Sequence, residues 1–326
     1  MRTRYSWSLG VVVVLGAALG ASGQGWTLPR TADGQPDLQG TWNNGTVTPL
    51  ERPGELAGKE FFTEKEAATY EKQIVSARNS DHRGATPATD LQFAYNNAWY
   101  DWGSRVVKTL RTSIIIDPPD GKIPPFTAKG QEMARARATQ QSHPAAGPED
   151  IGLEERCLVF PTAGPPMLPF TYNNNYRIMQ IPGYVAILIE MVHDVRIIPI
   201  DGRSHVPSRL RQWFGDPRGH WEGNTLVVDT TNFNGQTTFG FIYNGLTDEN
   251  YHLTERFTRT DPDTILYQFT IDDPTVYTRP FTGELTMSRT EEAIYEYACH
   301  EGNYALANML SGARAEEKRA ATAAKK

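Results

Sequence analysis

Eight short runs of β-branched and aromatic residues follow one another between residues 176 and 300, and turn residues separate them. The runs are YRIMQI, YVAILIEM, VRIIPI, TLVVDTTNF, HLTERFTRT, TILYQFTI, FTGELTMS and AIYEYACH. Breaks such as Pro-Gly, Asp-Gly and Glu-Gly-Asn are typical of short connections between antiparallel strands. No long helical segment separates the runs, which disfavours a parallel α/β sheet. The pattern predicts an antiparallel meander that closes as a barrel or folds as a sandwich.

The rest of the chain is irregular, with a few helical segments, so the predicted fold class is mainly β. A capping-box spacing predicts a helix over residues 63–78, and a second helix is predicted over 128–140. The run Ile114–Ile116 predicts one isolated strand, which the turn sequence Pro-Pro-Asp-Gly ends. A C-terminal helix is predicted from residue 303 onward.

The N-terminus reads as a signal peptide over residues 1–23. Arg2 and Arg4 form a positive n-region, residues 9–19 form an apolar h-region, and small residues follow up to a cleavage point near Gly23. The alternative, a membrane anchor, needs about 20 apolar residues, and this run is shorter. We therefore predict a periplasmic or secreted protein that does not insert into a membrane.

The exported part is predicted to be a single β-rich domain over residues 24–326. It comprises a loop-rich and helical portion (24–170), the β-meander (171–300), and a C-terminal helix and tail (301–326). The formal net charge is -6, and loss of the two leader arginines makes it more negative. Nucleic acid and anionic lipid both require a positive surface, so the expected partner is a small molecule.

The two cysteines, Cys157 and Cys299, both lie in the exported part. An even number of cysteines in an oxidising compartment suggests a disulfide, which here would join the start of the β-rich half to its end. Two free buried thiols are the alternative.

Several segments together are similar to a known set of sequences. They include RTSIIIDPPDGKIPP, GPEDIGLEERC, EMVHDVRIIPIDGR, GHWEGNTLVVDTTNF and IYEYACHEGNYAL. With these motifs the chain resembles, over roughly residues 27–320, a family of secreted bacterial proteins of acidobacteria and proteobacteria. The resemblance implies export and a single domain, and it implies no activity. The hairpin GHWEGNTLVVDT is also similar to one found in lipocalin-like domains, which offers an analogy for the fold only.

The candidate catalytic residues come from two predicted strands and one turn. On the strand 252–259, His252 and Arg256 share the polar face, and Asp272 ends the polar face of the next strand. These faces lie either on the outer surface or inside a barrel, where a base, an anion clamp and an orienting carboxylate would converge. His193, in a turn between two strands, completes the predicted catalytic set.

The candidate substrate-binding residues are basic or aromatic side chains near strand ends. They are predicted to bind an acidic or sugar-like molecule at the mouth of the fold, and the alternative is a solvated hairpin. The set is Arg196, Arg203, His205, Trp213 and Trp221.

His220 and Glu222 stand two residues apart and would share one face of a strand, which makes them a weak candidate metal pair. The alternative is the edge of a hairpin. No strong metal motif is present in the sequence, so we predict no metal.

Three functions remain open from the sequence. The first is a cofactor-independent periplasmic hydrolase or lyase that acts on a polar or carbohydrate-like small molecule. The alternative is a lipocalin-like protein that binds a small organic ligand without catalysis, and the third is a structural protein. The chain has no phosphate-binding glycine loop, dinucleotide motif or nucleophile elbow, so no cofactor is expected. The sequence leaves the oligomeric state open.

Overall fold

A computed structural model gives the fold of most of the chain. It describes residues 26–79, 81, 86–90, 97–239 and 245–324. The predicted signal peptide lies outside these residues. Within them, no helix combines the length and apolar character that a membrane crossing needs.

In the part of the chain that the structure describes, ten strands form one antiparallel sheet. They are β1 (Gly40–Asn43), β2 (Ile115–Asp117), β3 (Asn175–Ile181), β4 (Tyr184–Ile189), β5 (Val195–Pro199), β6 (Asp216–Glu222), β7 (Thr225–Thr231), β8 (His252–Asp261), β9 (Thr264–Asp272) and β10 (Phe281–Thr290).

Within the described ranges, four α-helices lie outside the sheet. They are α1 (Glu64–Ala77), α2 (Pro87–Asp90), α3 (Ala128–Gln141) and α4 (Ala305–Ala323). Single 3₁₀ turns lie at Gly54–Leu56, Asn97–Trp99, Pro148–Asp150 and Met191–His193.

Side-chain caps fix the starts of α1 and α3. Thr63 and Glu66 form a complete capping box at α1, and Thr127 Oγ1 accepts the N–H of Gly130 at 3.0 Å in α3. Each cap satisfies an N–H that has no partner within the helix. The helices predicted over 63–78, over 128–140 and from 303 are confirmed to within a few residues by α1, α3 and α4.

The sheet consists of two meanders joined by the short strand β1. The order is β5-β4-β3-β1-β10-β9-β8-β7-β6, and β2 pairs with β10. In β1, Trp42 pairs with Arg289 of β10 on one side and with Tyr176 of β3 on the other. The prediction of a mainly-β antiparallel fold is confirmed.

The sheet curls so that its two meanders face each other. Arg196 on β5 contacts Glu255 on β8 through a buried ion pair, although five strands lie between them in the sheet order. At Gly219 on β6, a Cβ atom would lie 2.9 Å from Cγ2 of Ile198 on β5. Over the described residues, no strand pairing joins β5 to β6, so the curled sheet is not closed into a barrel.

Large side chains fill the concave side of the sheet. Trp42 is fully buried and its indole N–H donates to the carbonyl of Leu38 at 2.9 Å, while Tyr267 and Phe257 pack with ring centroids 4.9 Å apart. Strand β8 shows the pattern clearly, because Leu253 and Phe257 are buried whereas the alternate residues are half-buried. The apolar faces predicted for β8 and β9 therefore pack in the core, and their polar faces lie on the outer side.

Two details of the strand prediction were wrong. The run AIYEYACH is not a strand, and residues 291–298 have no assigned secondary structure, with Tyr295 73% exposed. Strand β6 was missed because its sequence, DPRGHWE, contains proline, glycine and four charged or titratable residues, which are depleted in strands. β6 is an edge strand, where such residues are tolerated.

The disulfide between Cys157 and Cys299 is present, with Cα atoms 5.8 Å apart, and the prediction of this pair is confirmed. It joins the loop before β3 to the segment that precedes α4. Asn303 strengthens the same junction, since its Nδ2 donates to the carbonyl of Glu155 at 3.2 Å.

Candidate functional site

Strands β6, β7 and β8 lie side by side and bring polar residues together on the outer face. In register, Asp229 of β7 pairs with Arg218 of β6 on one side and with Thr254 of β8 on the other. His252, two residues before Thr254, faces the same side because strand residues alternate. His205, in the connection between β5 and β6, contacts Asp229 on this face.

These residues form a continuous hydrogen-bonded chain, which we call the His–Asp chain: His252, Asp229, His205, Asp216 and Arg218. Asp229 bridges both imidazoles, with Oδ2 2.6 Å from Nε2 of His252 and Oδ1 2.9 Å from Nε2 of His205. Nδ1 of His205 lies 3.0 Å from Oδ2 of Asp216, whose other oxygen accepts from Arg218 at 2.7 Å. Acidic and basic side chains thus alternate along a chain of contacts on this face of the sheet.

Asp229 fixes the tautomer of His252. An ionised carboxylate only accepts hydrogen bonds, so Nε2 of His252 carries the hydrogen that it shares with Asp229. In the neutral ring this leaves the lone pair on Nδ1, and Nδ1 has no hydrogen-bond partner among the residues that the structure describes. The side chain is 40% exposed, so this lone pair is open to solvent or to a bound molecule.

The contact between His252 and Asp229 shifts their pKa values in opposite directions. The hydrogen bond that His252 donates to Asp229 raises the pKa of His252 above its ordinary 6.5, and burial partly opposes this. The pKa of Asp229 is lowered by the hydrogen bond from His252 and, to a smaller extent, by that from His205. A histidine whose partner stays ionised and whose second nitrogen is free has the arrangement of a general base.

His205 faces a carboxylate with each ring nitrogen. A neutral imidazole has only one N–H, so both contacts are hydrogen bonds only when the ring carries two protons. Asp216 is held in place from the other side, since its Oδ2 also accepts the N–H of Val206 at 2.9 Å. Asp229 and Asp216 thus hold the His205 ring through both of its nitrogens.

The predicted catalytic residues meet only in part. Asp272 pairs in register with His252 across β8 and β9, and its charge contributes to the raised pKa of His252. Arg256 lies on the same face but its Nη2 donates to Glu222 at 2.7 Å. His193 occupies the turn between β4 and β5, and no hydrogen bond connects its ring to the His–Asp chain within the described ranges.

The predicted substrate-binding residues are scattered over the fold, except for His205 in the His–Asp chain. Arg196 is inside the core rather than in a loop, where Nη1 donates to Oε1 of Glu255 at 3.0 Å. Arg203 is exposed and pairs with Asp201 and the hydroxyl of Tyr184.

The two predicted aromatic platforms lie in different surroundings. Trp213 lines, with Arg196, a cleft of about 500 Å³ beside β5, whereas Trp221 packs against the core.

The candidate metal pair, His220 and Glu222, makes hydrogen bonds to protein groups. Nε2 of His220 lies 3.2 Å from Oε1 of Glu222, and Glu222 also binds Arg256. The hydrogen bonds from Arg256 and His220 lower the pKa of Glu222. No group of three or more histidine, cysteine, aspartate or glutamate residues is arranged to hold a metal ion in the part of the chain that the structure covers.

Three members of the His–Asp chain were missed from the sequence: Asp229, Asp216 and Arg218. A usable signal exists for Asp229, because it is the only charged residue in the apolar run TLVVDTTNF. Its partners His252 and His205 are 23 and 24 residues away in sequence. The contacts become visible only because β7 pairs with β8 and because the β5–β6 connection lies next to β7.

Comparisons with protein-family models, with curated proteins and with solved structures give no match for this chain.

Proposed function

We propose that this chain is an exported, cofactor-independent enzyme, a hydrolase or lyase, in which His252 is the general base. The observation that carries the proposal is the 2.6 Å contact from Asp229 to Nε2 of His252, which leaves Nδ1 free on a half-exposed ring. Nδ1 would take a proton from a water molecule in hydrolysis, or from a carbon acid in an elimination. Asp229 would orient the ring and stabilise the imidazolium ion that forms.

The surroundings of His252 favour a polar, hydroxyl-rich substrate. A row of threonines crosses the sheet next to Asp229, because Thr254, Thr270 and Thr282 are register partners on β8, β9 and β10. The hydroxyls of Thr270 and Thr282 lie 2.9 Å apart. Threonine hydroxyls both donate and accept, which suits a carbohydrate-like molecule laid along the outer face.

The alternative of a lipocalin-like binding protein places the ligand on the concave side of the sheet. That side is occupied by the fully buried rings of Trp42, Tyr176, Tyr267 and Phe269. The packing favours the outer face as the place for chemistry.

The proposal is tested by incubating the exported protein with a panel of oligosaccharides, sugar acids and polyols, and by following each compound by mass spectrometry. The variant His252→Gln keeps an amide N–H for Asp229 but has no basic nitrogen. The matched control is His220→Gln, which alters a half-exposed histidine that pairs with Glu222.

We expect at least one compound to be consumed by the parent protein and by the control, and about 10²–10⁴-fold more slowly by His252→Gln. Equal turnover by His252→Gln would overturn the role of His252. Consumption of no panel compound by the parent protein would contradict the proposed enzyme.

A further inference from the structure

A second cleft, which we call the α3 cleft, lies away from the His–Asp chain. It has a volume of about 480 Å³, and its walls are α3, the loop 149–161 and the segments 235–238 and 246–247. The volume is that of a pocket for a small molecule.

Two arginines in this cleft make no salt bridge in the described part of the chain. Arg137 of α3 and Arg156 of the facing loop both line the cleft and are half-buried. Neither guanidinium makes a hydrogen bond or salt bridge to any residue in the described ranges. By contrast, Arg111 pairs with Glu284 and Arg218 pairs with Asp216.

The acidic residues that line the cleft make no salt bridge to these arginines within the described residues. Asp150 is occupied, since its two oxygens accept from Gln140 Nε2 and from the N–H of Ala146, each at 2.8 Å. Glu154 is half-buried, and burial raises the pKa of its carboxyl, while the nearby charge of Arg137 partly opposes this rise.

The wall that carries Arg156 is fixed in place. Its neighbour Cys157 is bonded to Cys299, and the carbonyl of Glu155 accepts from Asn303 at 3.2 Å. The guanidinium of Arg156 is thus presented by a cross-linked loop rather than by a free one.

We propose that the α3 cleft binds a small polyhydroxylated monocarboxylate, such as a sugar acid, with Arg137 and Arg156 receiving the carboxylate. Planar guanidinium groups match carboxylates through paired hydrogen bonds. Gln236 and Thr237, which line the opposite wall, supply polar groups for hydroxyls. A monoanion fits better than a phosphate dianion, because Glu149, Asp150 and Glu154 add acidic groups to the same walls.

This binding site is independent of His252 and is tested by binding alone. Isothermal titration calorimetry on the full exported chain would compare galacturonate, galactose and inorganic phosphate. We expect saturable binding of galacturonate, and at least tenfold weaker binding of galactose and of phosphate. Failure to bind galacturonate, or equal affinity for galactose, would overturn the proposal.

Three variants and one control locate the site. Arg137→Gln and Arg156→Gln are each expected to weaken galacturonate binding at least tenfold, about 1.4 kcal/mol. Glu154→Gln removes an acidic group, so it is expected to tighten binding, which a folding defect would not do. Arg135→Gln is the control, because Arg135 is exposed on the same helix and does not line the cleft. Equal affinity of Arg137→Gln and the control would contradict the site.

Discussion

Nε2 of His252 and Oδ2 of Asp229 lie 2.6 Å apart on neighbouring strands of the outer sheet face. The carboxylate stabilises the protonated ring, so the pKa of His252 in the folded protein is raised above 6.5. A raised histidine pKa contributes stability that is fully present below pH 6.5 and is lost as the pH rises through the folded value.

Substitution of Asp229 by asparagine is therefore expected to lower the pKa of His252 towards 6.5, because the amide carries no charge. A two-dimensional NMR titration of the histidine ring resonances measures this directly. Glu222→Gln is the matched control, since Glu222 contacts a different histidine, His220, and should leave the His252 titration unchanged. An unchanged His252 titration in Asp229→Asn would show that the contact does not govern the ring.

The adjacent residues Glu255 and Arg256 on β8 should respond very differently to loss of their ion pairs. Glu255 is fully buried and neutralises Arg196 inside the core, with Tyr267 donating to the same carboxylate at 2.8 Å. Glu255→Gln leaves a buried guanidinium uncompensated, which typically costs about 3–5 kcal/mol.

Chemical denaturation measures this cost as the decrease in the free energy of unfolding relative to the parent protein. Glu222→Gln, which breaks the exposed pair with Arg256, is expected to have little measurable effect because solvent screens it. Similar losses in both variants would contradict the assignment of Arg196 and Glu255 to the core.

Much of the fold follows from the sequence because side-chain periodicity reports burial. In β8, Leu253, Glu255 and Phe257 alternate with half-buried neighbours, and this period of two is visible in the letters alone. The pattern does not distinguish a polar face on the surface from one inside a barrel, because both alternate identically. The pattern also predicts a strand that does not form, since AIYEYACH alternates but does not pair with a neighbouring strand.

The site was harder to predict because its contacts depend on register. His252 is apparent as a polar residue on a strand, but Asp229 becomes its partner only when β7 pairs with β8. Arg196 shows the opposite problem, since its charge suggested a surface role. The curl of the sheet instead brings it to Glu255, whose acidic side chain sits on the apolar face of β8.

Loss of the disulfide should destabilise the fold, since it closes a loop with a sequence separation of 142 residues. Serine substitution of both Cys157 and Cys299 is expected to lower the free energy of unfolding by about 2–5 kcal/mol. Urea denaturation measures it, and the reduced parent protein should match the double variant. A double variant as stable as the oxidised parent would exclude a stabilising role.

Asp273 should make stability fall with rising pH. Its burial, and then the nearby charge of Asp248, raise its pKa from 3.8 to about 6. An acid with a raised folded pKa contributes stability that is complete below pH 3.8 and is lost as the pH rises through about 6.

Asp248→Asn removes the like charge and is expected to reduce the loss in this window, as thermal unfolding between pH 4 and 7 would show. Asp263→Asn is the control, because Asp263 is an exposed carboxyl in the turn between β8 and β9. If both variants kept the full pH dependence of the parent, Asp248 would not be its source.

The role of His252 as the base is tested most directly by the pH dependence of kcat/KM for a compound that the protein consumes. A base acts when it is unprotonated, so the rate is expected to rise with pH, with a midpoint above 6.5 that reports His252. Asp229→Asn should shift this midpoint to lower pH and reduce the plateau. A midpoint that stays in place in Asp229→Asn, or a full plateau in His252→Gln, would contradict general-base catalysis by His252.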